Sequence, residues 1–334
     1  MAEHFTNRQL VLGGLVAGAA LAGAALLYKS SQKTGQKKTY KVVGTLETIY
    51  IHPVKSCRAI EIPKGQCTKH GLVYGALKDR HWMILNEEDR FQTMSHEPTM
   101  VLITPSLSED SRYLVLNAPN MPPLKIPIDL NKIPVGERQV IETRLWRQNV
   151  TGKHCGQEAE AWLTKYFGKP MKMIYGDDDT KPREVGNAGR AVPIGKKGDL
   201  MIYQEDAGFN LMADSSLVDL NSKMKASLTA RNFRPNFVVS NSQPYDEDNW
   251  KYIKVGDVVL RHVKYNERCK VTTVDPDTGK FSNNNDPLTT LKTYRMCQPE
   301  DKPLYHDAPL FGVHLAIDQQ GTVTKGDTVY AVYE

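Results

Sequence analysis

Residues 252–265 read YIKVGDVVLRHVKY. Branched and aromatic residues fill both arms and Val255-Gly256-Asp257 supplies a turn, so the segment predicts a β-hairpin. Working outward, NFVVSN (236–241) reads as a strand, and TVTKGDTVYAVYE (322–334) repeats the pattern with a turn at Lys325-Gly326-Asp327. Far upstream, YKVVGTLETIYIHPVKS (40–56) is a strand that enters a loop at Pro53. HWMIL (81–85), YLVLN (113–117) and LKIPIDL (124–130) are shorter strands, the last demoted to an edge by Pro127. One helix is expected at 157–167, with Ala159, Trp162, Leu163, Tyr166 and Phe167 on one face and Gly168 then Pro170 ending it. A second is expected at 217–226, with Ser216 as N-cap and Asp219 completing a capping box. Many short strands with few helices indicate an α+β, mostly β chain built as a barrel or sandwich.

The 334 residues suffice for roughly two domains at about 150 residues each. The polar stretch DDDTKPREVGNAG (177–189) is the natural boundary, giving units 40–185 and 186–334 behind an N-terminal segment, 1–39. Hydrophobic residues at 40% exclude a disordered chain, and a net charge of +5, spread evenly, gives no footprint for nucleic acid. Cys57, Cys67, Cys155, Cys269 and Cys297 are odd in number and lack a Cys-x-x-Cys pair, which disfavours a disulfide framework or a zinc ribbon.

Residues 10–28 carry no charge and are long enough, as a helix, to nearly span a bilayer core of roughly 30 Å. A cleaved signal peptide with Ala22-Gly23-Ala24 as its small-residue site is the other reading. Positive charge lies mainly after the run, at Lys29, Lys33, Lys37, Lys38 and Lys41, so a membrane anchor with the large C-terminal part in the cytosol is expected. Such a short anchor resembles those of the mitochondrial outer membrane.

Nucleotide-binding and common hydrolase motifs are absent. DPDTG (275–279) has its Gly one place early for a calcium loop and is expected to be a turn. His154-Cys155, and His52 with Cys57, are lone pairs without a second pair at zinc spacing. Cys269 is flanked by Arg268, Lys270 and Lys264, a setting that favours a thiolate, either nucleophile or soft-metal ligand, if their side chains point the same way, while an inert half-buried cysteine at a strand end is the alternative. Lys55-Ser56, Arg80 and Arg234 lie at expected loop ends and suit a phosphate, although surface solvation explains each singly.

Taken together, HPVKSC (52–57), LKDRHWMIL (77–85), NFRPN (232–236) and RCKVTTVDPDTG (268–279) resemble the molybdenum-cofactor sulfurase C-terminal (MOSC) family. With the N-terminal anchor they resemble its mitochondrial, amidoxime-reducing branch, over residues 40–334. The resemblance implies an N-terminal β-barrel-type domain, 40–185, and a MOSC β-barrel domain, 186–334. It also implies a molybdopterin in a basic cleft, with Cys269 as molybdenum ligand and catalytic residue. Lys55, Ser56, Arg80 and Arg234 would hold the pterin and its phosphate, Arg268 would adjoin the ligand, and backbone contacts would fall near Asp206 and Ala207. Where relatives often carry a second cysteine the chain has Asn266. Glu267 replaces a small or neutral residue of relatives and would place an extra negative charge beside the cofactor, lowering its potential.

The implied activity is reduction of amidoximes, hydroxylamines and hydroxamic acids to amidines, amines or amides, with water as the other product. Electrons would come from NADH through NADH-cytochrome b5 reductase and cytochrome b5, since the chain has no nucleotide or haem motif of its own. The runner-up is a sulfur carrier or cofactor-maturation protein using a Cys269 persulfide. A scaffold that tethers electron carriers to the membrane is third.

Overall fold

The computed structural model describes residues 38–177, 180, 182–186 and 194–333. The expected anchor at 10–28, its flanking lysines 29, 33 and 37, and part of the 177–189 boundary lie outside these residues. No helix among the described residues is long and apolar enough to cross a membrane. Residues 40–334 form one compact unit.

Its centre is a closed ring of seven strands, Phe237–Ser240, Phe209–Ala213, Leu310–Gln319, Val258–Glu267, Trp250–Val255, Thr328–Tyr333 and Lys41–Ile51, the last pairing back onto the first. All of these pairings are antiparallel except Phe209–Ala213 with Phe237–Ser240. The hairpin at 252–265 turns at Gly256-Asp257 and supplies two staves of the barrel. Alternation explains the register: Ile253, Val255, Val258 and Leu260 are buried, whereas Lys251, Gly256 and Asp257 meet solvent. Lys41–Ile51 belongs to this barrel although it opens the described chain, so the ring is built from both ends of the sequence. Four-, three- and two-stranded sheets surround the barrel.

The helix at Gln157–Phe167 forms as expected, burying Ala159, Trp162 and Leu163 and ending at Gly168 in the left-handed region, φ 68°. Pro127 ends Leu124–Pro127, an edge strand of its sheet. Two expectations need correction. TVTKGDTVYAVYE turns at Lys325-Gly326-Asp327, but its arms join different sheets: Gly321–Thr324 pairs with Lys64–Thr68, and Thr328–Tyr333 enters the barrel. The second helix spans Asp214–Ser222, so Ser216 lies inside it and caps nothing. The carboxylate of Glu247, fully buried, accepts the Ala213 N–H at 3.1 Å and the Ser216 hydroxyl at 2.9 Å. Glu247 thus ties Ala213, which precedes the helix, and Ser216 in its first turn to one buried acceptor, 31 residues from Ser216.

Candidate functional site

The residues of HPVKSC, LKDRH, NFRPN and RCKVTT meet at one cleft of about 620 Å³, a size suited to a cofactor or drug-sized ligand. All nine residues singled out from the sequence line it: Lys55, Ser56, Arg80, Asp206, Ala207, Arg234, Glu267, Arg268 and Cys269. Ala207 does so from a small apolar cluster with Val185 and Met201.

Three of them hold an unusual backbone. Ser56, Arg80 and Arg234 have φ of 68°, 55° and 54°, a region that costs an L side chain on the order of 1 kcal/mol. Main-chain bonds flank each bend, and Cys57 N–H closes over Ser56 onto Val54 O at 3.1 Å. Arg80 N–H donates to His52 O at 2.7 Å, and Lys55 N–H to Trp82 O at 2.8 Å. Arg234 ends the one-turn helix Ala230–Phe233, which starts with a capping box between Thr229 and Asn232. Asn232 then donates to Val274 O at 3.2 Å, tying NFRPN to the TTVDPDTG segment.

These bends crowd positive charge together. Arg80 donates to buried Asp79 and, through Nη2, to Arg234 O at 3.0 Å. Arg234 Nη1 donates to Cys57 O at 2.7 Å, but its Nη2, like that of Arg268, is buried with no hydrogen-bond partner among the described residues. Burial and the neighbouring Arg80 lower the pKa of Arg234 to about 10. Burial, Arg80 and Arg234 together also hold His52 well below its ordinary range, neutral. An orphaned guanidinium donor beside a second guanidinium is the electrostatic form of an anion site.

Cys269 begins the turn Lys270–Thr273, and its carbonyl accepts the Thr272 N–H at 3.0 Å and hydroxyl at 2.9 Å. Arg268 anchors this turn from behind: its N–H donates to Pro309 O, Nε to Phe311 O at 2.7 Å and Nη1 to Phe233 O at 2.9 Å. The Cys269 residue is exposed, opening on the cleft, whereas Cys57, Cys67 and Cys155 are buried.

The expectation of a cation-stabilised thiolate is corrected. Burial among the cleft walls pushes the Cys269 thiol up, with Glu205 adding to the rise against Val271 N–H, Arg268 and Lys55. Two of the expected cations are engaged elsewhere: Lys270 lies 3.9 Å from the Phe281 ring centroid, and Lys264 is an ion-pair partner of Asp206 and Glu267. Glu267 does face the cleft, but the buried ammonium of Lys264 compensates the extra charge expected there. Asp206, Glu267 and His314 could in geometry hold a metal ion, yet Lys264 Nζ already sits 3.0 Å from Asp206.

Residues the sequence did not single out complete the cleft. Glu205 accepts from Lys55 Nζ and, at 2.7 Å, from Trp146 Nε1. Arg183 braces the 202–204 main chain, donating to Ile202 O at 2.8 Å and to Gln204 O. The remaining candidates are structural. His154 Nδ1 faces Glu137 O and its Nε2 faces Glu160, while His52 Nε2 faces Pro235 O. In DPDTG, Asp275 accepts the N–H groups of Asp277 and Thr278, which makes it a turn.

A closed β-barrel whose cleft combines one accessible thiol with Arg80, Arg234 and Arg268, the last two each keeping an Nη2 without a partner among the described residues, defines the class, and the family comparison agrees. The chain belongs to the MOSC family: residues 43–170 match the MOSC N-terminal beta barrel domain and residues 198–330 the MOSC domain. It is 35% identical to the human mitochondrial amidoxime-reducing component 1 over 93% of this chain and 90% of that protein. The mouse counterpart is 33% identical over 97% and 92%, and the rat mitochondrial amidoxime reducing component 2 is 32% identical over 98% and 95%.

Proposed function

We propose that the protein is a molybdenum-cofactor-dependent reductase of N-hydroxylated compounds. The observation that carries this reading is that Cys269 lines the same cleft as Arg234 and Arg268, whose buried Nη2 groups have no hydrogen-bond partner among the described residues. A molybdopterin needs both a soft sulfur for its metal and cationic donors for its phosphate, and the donor set fits it. The names of the relatives support N-reduction as the activity.

When bound, the cofactor would supply the two electrons that cleave the N–O bond, whose oxygen leaves as water. The chain's own residues supply position and charge. Arg234 and Arg80, held by their left-handed backbones, bind the phosphate with the Ser56 hydroxyl. Lys55 is fixed by Tyr203 O at 3.0 Å and by Glu205, which keeps the wall around the thiol rigid. Arg268 fixes the Cys269 turn, and Cys269 Sγ is the metal ligand. Overall, an amidoxime, NADH and a proton give an amidine, NAD and water.

Cytochrome b5 and NADH-cytochrome b5 reductase are the proposed electron donors, since two single-electron deliveries must reset the site. The proposed location is the mitochondrial outer membrane, single-pass, with the catalytic part in the cytosol. The apolar run at 10–28, its basic C-terminal flank and the mitochondrial relatives support it. The test is molybdenum content together with NADH-driven benzamidoxime reduction in the presence of both donors. Folded protein from a molybdenum-replete source that holds neither metal nor pterin would end this reading, and persulfide sulfur on Cys269 would favour sulfur transfer.

A further inference from the structure

We infer that Trp146 is the specificity-determining residue of the cleft, presenting one indole face to the aromatic ring of an N-hydroxylated aryl substrate. The inference rests on the N-reduction reading above. Trp146 is the first of two residues in the tight turn between Val140–Leu145 and Gln148–His154. Its φ is 55°, in a position where hairpins favour glycine or asparagine. A bulky side chain kept on such a backbone points to a role for that side chain.

The indole is held at two points and left open elsewhere. Nε1 donates to Glu205 at 2.7 Å, and the ring meets Phe91 edge-on, 5.0 Å between centroids at 69°. Yet Trp146 is 52% exposed, while Trp82, Trp162 and Trp250 are at most 7% exposed. A fixed, half-exposed aromatic face on the wall of a cleft is already ordered for stacking, so little entropy is lost when a flat ligand arrives. Its place on the rim separates it from the buried arginines that suit the cofactor phosphate. Glu205 joins rim to floor, because it also holds Lys55 and its charge acts on Cys269.

The burial of the other tryptophans gives a test that does not depend on turnover. In the cofactor-loaded full chain without reductant, acrylamide quenching of tryptophan fluorescence reports Trp146. Benzamidoxime should protect it and acetamidoxime should not. In turnover, Trp146→Ala should lower kcat/KM for benzamidoxime relative to acetamidoxime by about tenfold, and Trp146→Phe should keep the ratio within about twofold. Equal protection by both compounds, or none by either, overturns the inference. So does a Trp146→Phe ratio as low as that of Trp146→Ala, because then only the N–H bond to Glu205 matters. Loaded protein that reduces neither compound defeats the N-reduction reading, and selective protection still decides whether Trp146 stacks.

Discussion

Arg80 donates from Nη2 to the main-chain carbonyl of Arg234 at 3.0 Å, so one guanidinium fixes the backbone that aims the other. Two cations 154 residues apart are thereby set side by side, one with a buried donor unused. Buried Asp79 pairs with Arg80 and offsets part of the repulsion, while the cleft provides room for an anion beside Arg234.

Arg234→Gln should therefore cut pterin and molybdenum retention by about tenfold or more, the worth of a charge-assisted hydrogen bond. Without cofactor the variant should be no less thermally stable than the parent, since it loses a repelled charge. Metal content after gel filtration and the Tm of the cofactor-free chain check both statements.

Lys264→Met should be the most damaging change near the cleft. The ammonium is buried and holds Asp206 and Glu267 together, and its loss leaves two carboxylates facing each other. Destabilisation of about 3 kcal/mol is expected in urea unfolding. Adding Glu267→Gln should recover roughly half of it by removing one of the two charges.

These relationships bear on what the sequence made legible. Local patterns were sufficient where the physics is local: the 157–167 helix with its glycine stop, the strand ending at Pro127, the Gly256-Asp257 hairpin. They were insufficient where a distant group decides. Ser216 has every feature of an N-cap, yet the helix begins two residues earlier and tertiary packing engages the Ser216 hydroxyl with Glu247 and Tyr245 N–H. The charges around Cys269 are neighbours in sequence, but Lys264 and Lys270 have partners elsewhere, so proximity along the chain overstated their effect on the thiol. Glu205 and Trp146 gave no local signal, because what joins them is a bond spanning 59 residues. A turn tryptophan with positive φ cannot be told from an ordinary strand aromatic in one dimension.

Glu247 carries a pH prediction. Burial first, then Asp248, push its carboxyl up to about 7 from 4.5, against the bonds from Ala213 N–H and Ser216. Asp248 is itself paired with Arg295 at 2.6 Å. Because the folded pKa lies above the unfolded one, the folded state binds the proton more tightly. Stability from this group is complete below about 4.5, and declines as pH rises through about 7. Glu247→Gln keeps an acceptor without the charge and should flatten the profile between these values. It should add about 2 kcal/mol at pH 8, measured by denaturant unfolding across pH.

Cys269 is the central claim, and the most direct measurement is molybdenum content with NADH-driven benzamidoxime reduction, for the parent chain and Cys269→Ala in parallel. About one molybdenum per chain is expected in the parent, and no reduction by the variant even where pterin contacts retain the cofactor. A Cys269→Ala protein that reduces benzamidoxime at the parent rate would contradict it.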